Sequence, residues 1–238
     1  MTVRKAAPSR GRSTVHRQGE ARLPAALAVV SAIALYALLP NSLVVGPRMV
    51  VPGLEAALLI VLVAANPRRM SRENRALRAV SITLIVVIGL ANAVALVLLL
   101  HGLVTGEKHQ GAALLLAAFQ VWMTNLIVFA LAYWELDRGG PVRRTTAPRD
   151  QLGAADFRFS QDENHDAVSE VAVTASRTSG WVPGFVDYFY VSCTNSTAFS
   201  PTDTMPLSPR AKLLMAVESV SSLMITLIII ARAVSQLQ

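Results

Sequence analysis

Five stretches of this chain are almost free of charge and approach the length of a bilayer: Leu23–Pro40, Met49–Ala65, Ala79–Leu100, Gly111–Trp134 and Leu213–Ala231. A helix needs roughly 20 apolar residues to cross the hydrocarbon core. The first two stretches sit at the lower edge of that range. The third and fourth carry no charged side chain, so they lack the polar stripe that a soluble helix turns toward water. The pattern predicts an all-α, polytopic helical membrane protein with five transmembrane helices. The first stretch is a poor signal peptide, because its basic leader is long and no small-residue cleavage site follows.

The arginines set an orientation. The N-terminal tail holds Arg4, Lys5, Arg10, Arg12, Arg17 and Arg22, and the loop after the second stretch holds Arg68, Arg69, Arg72, Arg75 and Arg78. The loops after the first and third stretches hold one base each, Arg48 and Lys108. Positive loops stay on the cytoplasmic side, which places the N-terminus and the second loop there, in a multi-pass protein of the cell membrane. Arg138, Arg143, Arg144 and Arg149 put the chain back on that side after the fourth stretch, with Tyr133 and Trp134 as interfacial anchors. The net charge of +7 is carried by tail and loops. It therefore points to anionic lipid headgroups as partners rather than to nucleic acid. A homo-oligomer is compatible with this reading.

Four regions result: a basic tail, 1–22; four helices, 23–135; a polar, partly disordered loop, 136–180; and a terminal unit, 181–238. In the loop, RGGPVRRTTAPRD is basic and rich in turn formers, and a short strand or helix is expected at Asp156–Phe159. Asp162, Glu163, His165 and Asp166 cluster, but nothing elsewhere completes a metal site, so they read as a solvated acidic patch. The single cysteine, Cys193, excludes an internal disulfide and a cysteine metal cluster. No metal or cofactor is expected.

Polar residues within the stretches mark where helices meet each other or water. Asn92, Gln120 and Asn125 suit interhelical hydrogen bonds, and Gly89 with Ala93 offers a close-packing face. Glu55 and Glu218 are costlier: a carboxylate near the bilayer centre faces protein or water, not lipid. Ser221 and Ser222 lie at i+3 and i+4 from Glu218 and share its helical face.

Ahead of the last helix runs VDYFYVSCTNSTAFSPTDTMPLSPRAKLL, from Val186 to Leu214. The residues Ser192, Thr194, Asn195, Ser196 and Thr197 give a short helix one wet face, and Ser208-Pro209 reads as the N-cap and first position of the last helix. Asp187, Tyr190, Ser192, Thr197, Asp203, Pro206, Ser208 and Arg210 fall in step with a known pattern. The segment resembles a degenerate pore module of potassium channels, and similar segments precede the terminal helix of some bacterial membrane proteins. The resemblance covers about the last 55 residues and implies a short membrane-embedded or re-entrant helix before the last span. Ser200, Pro201 and Thr202 stand where the filter needs Gly, Tyr and Gly, and Pro201 fixes its own φ and restricts its neighbour. A potassium-selective filter is therefore not expected.

The sequence thus points to a channel-like or transporter subunit. Its expected polar path comprises Glu55, Asn125, Asp187, Thr194, Asn195, Thr197, Asp203 and Glu218. The alternative is a structural or regulatory membrane protein. No nucleophile–base arrangement and no phosphate loop is visible, so no catalytic residue is assigned and an enzyme is not expected.

Overall fold

The computed structural model describes residues 19–72, 74–105, 111–163, 168–198 and 204–235. Its helices are α1 (Leu23–Ala37), α2 (Val50–Ala65), α3 (Arg75–Val104), α4 (Gly111–Leu136), α5 (Pro141–Thr146), α6 (Ser169–Ala172), α7 (Ser176–Ser179), α8 (Phe185–Ala198) and α9 (Pro209–Ser235). Two three-residue strands, β1 (Phe157–Phe159) and β2 (Thr204–Pro206), pair antiparallel with Arg158 opposite Met205. The all-α expectation holds, and where a short strand or helix is expected, at Asp156–Phe159, the chain forms the strand β1.

Among the described residues three helical segments are long and apolar enough to cross a membrane: Arg75–Gly102, Ala113–Gly139 and Pro209–Ala231. This corrects the expectation of five spans. Helices α1 and α2 have only 15 and 16 residues. At 1.5 Å per residue they reach about 23 Å, short of a hydrocarbon core of about 30 Å. Leu38, Leu39 and Pro40 had extended the first apolar stretch on paper, yet the helix stops at Ala37 and the chain turns into a 3₁₀ turn at Asn41–Leu43. Large apolar side chains face outward along the bundle, among them Val86, Leu90 and Val97 on α3 and Val217, Val220 and Leu227 on α9. A water-soluble surface would not present such continuous rows.

Helix α4 is the axis. It packs against α1, α3, α8 and α9, while α2 lies against α1 and α3. Ala117, Ala118, Val121, Leu126, Ala130 and Tyr133 are all buried along it. Gly89 lets α3 approach closely, since a Cβ there would sit 3.2 Å from Val128 Cγ1. Asn74 caps α3 by accepting from the Leu77 N–H at 2.8 Å.

One end of the bundle is tied together by the connecting segments. Met70 N–H donates to Glu20 O, and Arg22 N–H donates to Arg68 O, so the start of α1 is stitched to the arginine-rich loop after α2. At the same end α4 stops at a reversal through Arg138, Gly139 and Gly140, all with positive φ, and Pro141 then starts α5. The left-handed conformation of Arg138, at φ 52°, is rare for a residue with a side chain and needs outside support. The RGGP run therefore encodes a sharp turn. Within 136–180, expected to be polar and partly disordered, the described residues carry several short elements, and Asp137, Arg144, Asp156 and Phe157 are buried.

Helices α8 and α9 both begin at this tied end and run inward side by side. Phe185 N–H reaches Glu20 at the start of α8, and Ser196, near its finish, meets Ser222 of α9. By Thr204 the chain is back at the tied end, paired with β1, and Leu207 N–H donates to Asp156 O. Ser208 then caps α9 by accepting from the Ala211 N–H at 3.2 Å, with Pro209 first in the helix, as the sequence implies.

Candidate functional site

One buried polar cluster is centred on Glu218, which is 0% exposed. Two helices, α4 and α8, supply its donors. Tyr133 Oη of α4 donates to Oε2 at 2.5 Å, and Asn195 Nδ2 of α8 to the same oxygen at 2.6 Å. Ser196 Oγ donates to Oε1 at 3.1 Å, and Ser192 Oγ also contacts Oε1. Each carboxylate oxygen thus accepts two hydrogen bonds. The Ser192 hydroxyl also faces Leu126 O at 2.9 Å, and its one proton serves one acceptor at a time. Among the described residues no cation pairs with Glu218. Its charge is compensated by neutral dipoles alone, a dense arrangement for a low-dielectric interior.

A chain of donors runs toward this carboxylate. Asn92 Nδ2 of α3 donates to Asn125 Oδ1 over a long 3.5 Å. Asn125 Nδ2 donates to Ser222 Oγ at 3.2 Å, Ser222 Oγ to Ser196 Oγ at 2.9 Å, and Ser196 to Glu218. Every step points the same way, so the chain is polarised in favour of a negative Glu218. Its outer members, Asn92 and Asn125, line a groove between α3, α4 and α9 together with Ser221 and Glu135, and the rest of that lining is apolar. Ser219 Oγ fixes Asn195 by donating to its Oδ1 at 3.1 Å.

A second polar cluster lies one layer toward the tied end. Asp137 accepts from Tyr188 Oη at 2.5 Å, from Arg138 Nη1 at 3.0 Å and from the Asp156 N–H at 2.7 Å. Arg138 also reaches Asp162 at 2.7 Å, which supports its left-handed backbone. Arg144 is fully buried. It donates to Trp134 O and Asp137 O at 3.0 Å, reaches Glu20 at 3.4 Å and lies 4.9 Å over the Tyr188 ring. Glu20 also accepts from the Trp134 indole at 3.0 Å and the Phe185 N–H at 2.6 Å. Burial pushes the Glu20 carboxyl above its ordinary value of 4.5, and the Arg144 charge opposes that rise. Asp156 is paired with Arg210 and Ser208, which locks the loop to the head of α9.

An aromatic layer separates the two clusters. Tyr133 packs edge-on against Phe157 at 5.1 Å, and Phe157 against Tyr188 at 6.2 Å. The two tyrosines point opposite ways, one to Glu218 and one to Asp137.

The residues expected to form one polar path do not all meet. Asn125, Asn195 and Glu218 come together. Glu55 is buried in α2, outside the Glu218 cluster, and its Oε2 has no hydrogen-bond partner among the described residues. Asp187 closes the start of α8 by accepting from the Gly184 N–H at 2.7 Å. Thr194 and Thr197 turn their hydroxyls back onto Tyr190 O and Cys193 O of their own helix, a bond that competes with lining a path. Asp203, with Ser200, Pro201 and Thr202, lies outside the described residues. So do His165 and Asp166, while Asp162 holds Arg138 and Ser176. Tyr133, expected as an interfacial anchor, is instead fully buried against Glu218. The sequence reading missed it because a tyrosine three residues from a helix end looks like a membrane-surface residue. Ser192 and Ser196 were visible as part of a wet face, and Ser221 and Ser222 as companions of Glu218.

Comparison with protein families, curated proteins and solved structures returned no match.

Proposed function

We propose that the chain is a channel-like or transporter subunit of the cell membrane, and that Glu218 is the group that binds the transported cation or proton. The observation that carries the reading is a buried carboxylate with no cation partner among the described residues, ringed by four neutral donors from Tyr133, Ser192, Asn195 and Ser196. Hydroxyls rotate. They can donate to a charged carboxylate or turn their lone pairs toward a bound cation or an added proton. The polarised chain from Asn92 through Ser222 offers a route for dipole reorientation. Its asparagine links interrupt a continuous proton relay, so the carboxylate rather than the chain is the working part.

In this reading α8 is a re-entrant helix. It enters from the side of the arginine-rich loops, which the positive-inside rule makes cytoplasmic, and returns there before α9 crosses. Its 14 residues span about 21 Å, enough to reach the middle of a bilayer but not to cross it. Potassium selectivity is not proposed, given Ser200-Pro201-Thr202.

A structural reading also has an observation behind it. Glu218 is closed off and both its oxygens are fully used, so the cluster serves equally well to pin α8 against α4 and α9. Flux of protons, sodium and potassium into liposomes carrying the purified protein, compared with Glu218→Gln, separates the two. Transport predicts a large loss in the variant, and anchoring predicts no flux in either protein.

A further inference from the structure

Between α1, α2, α3 and α4, at the tied end of the bundle, lies a cleft that neither polar cluster uses. Its inner part is apolar, with Val29 of α1, Leu59 and Leu62 of α2 and Leu84 of α3 on its walls. Its mouth carries Arg22, Arg72 and Arg78. Among the described residues Glu135 is the one carboxylate lining it, and this group is held by Ser81 Oγ at 2.8 Å and stands 4.0 Å from Arg78. Counted over the described residues, three guanidinium groups against one carboxylate give the mouth an excess of two positive charges. The free space, open mouth included, is about 690 Å³.

Arg22 makes this more than a greasy groove. It is 9% exposed, and its Nη1 makes only a long contact to Asn66 O, at 3.4 Å. Its Nε is buried and has no hydrogen-bond partner among the described residues. A buried guanidinium nitrogen left unsatisfied is costly, and such a donor facing a cleft calls for an acceptor from outside. The acceptor must be anionic, because the mouth is positive. It must carry an apolar tail, because the space beyond the arginines is lined by leucine, valine and alanine.

We propose that this cleft binds one anionic phospholipid, its phosphate at Arg22, Arg72 and Arg78 and an acyl chain along α1, α2 and α3. Guanidinium is suited to phosphate oxygens, and the cleft stands on the side where the basic loops meet the headgroup layer. The site does not depend on transport through Glu218.

The test uses the full chain in detergent micelles and native mass spectrometry. Phosphatidylglycerol and phosphatidylcholine with the same acyl chains are compared, and inorganic phosphate forms a separate arm. Wild type is expected to retain phosphatidylglycerol about tenfold better, and Arg72→Gln to lose about fivefold of that preference, the worth of one arginine near an anionic headgroup. Arg22→Gln is expected to remove the preference. Should that buried change unfold the protein, Arg72→Gln on the exposed rim and Leu59→Trp in the apolar wall carry the test. Leu59→Trp is expected to weaken both lipids and leave the headgroup preference intact. Equal retention of the two lipids by wild type, or a preference untouched by Arg72→Gln, overturns the proposal. Displacement of the lipid by inorganic phosphate at matched concentration does so too, because the apolar cleft would then contribute nothing.

Discussion

The two polar clusters sit a few residues apart on α4, yet they handle buried charge in opposite ways. Around Asp137 the carboxylates of Asp137, Glu20 and Asp162 meet the guanidinium groups of Arg138 and Arg144, and backbone groups fill the remaining positions. Around Glu218 one carboxylate meets only hydroxyls and an amide. The first arrangement is rigid, because each charge is committed to a partner of fixed geometry. The second is adaptable, because its donors rotate and the carboxylate carries no obligate counter-ion. The difference suits a scaffold at the tied end and a working group inside the bundle.

The largest expected effect is on the scaffold side. Arg144→Ala leaves Glu20 without its cation and takes one donor each from the Trp134 and Asp137 carbonyls. Removing one partner of a buried ion pair costs about 3–5 kcal/mol. Denaturant unfolding in detergent should show a drop of that size, with the protease sensitivity of 141–181 rising alongside. A drop below about 1 kcal/mol, the worth of a surface pair, would make the two clusters alike in stability and dissolve the contrast.

Glu218→Leu should cost less, about 2 kcal/mol, because the orphaned hydroxyls can turn to carbonyls such as Leu126 O, and polar contacts inside membranes are individually modest. The same unfolding assay reads it. A loss as large as that of Arg144→Ala would mean that the Glu218 cluster is also scaffold.

The smallest effect concerns Glu20. Its carboxyl is raised above 4.5 in the folded protein by burial, so the folded state holds the proton more tightly than the unfolded chain. The stabilising contribution is therefore complete below 4.5 and is lost as pH rises through the folded value. Unfolding free energies of wild type and Glu20→Gln, measured from pH 4 upward, should diverge in slope, with the wild-type curve falling more steeply with pH. Parallel curves would show that Arg144 offsets the burial completely.

These contrasts were unevenly legible in the sequence. The Glu218 side was visible because its parts are local: Ser221 and Ser222 fall at helical spacing from the glutamate, and Asn195 and Ser196 stand in a hydroxyl-rich run just upstream. Tyr133 was not, because its partner lies 85 residues away on another helix. The scaffold was hidden for the same reason. Arg144 meets Glu20 across 124 residues, and in a basic, turn-rich loop a buried arginine has the same local surroundings as a solvated one. Helix lengths were half legible. Apolar composition located α1 and α2, but it did not reveal that α1 ends before Leu38 and Pro40, where the backbone leaves the helix. For α8, composition gave the short helix and its hydroxyl-rich character, and the pairing of Thr204–Pro206 with Phe157–Phe159 determined where the chain goes next.

Liposome flux of wild type against Glu218→Gln, at matched protein density and with the fold checked by unfolding midpoint, tests the central claim most directly. The amide keeps the shape of the side chain and removes the charge, so the account predicts wild-type uptake of a proton or small cation and at least about tenfold less in the variant, the scale of losing a charged hydrogen-bonding group worth roughly 1.4 kcal/mol or more. Equal flux in the two proteins, or none above protein-free liposomes in either, would contradict it and leave the Glu218 cluster as the anchor of α8.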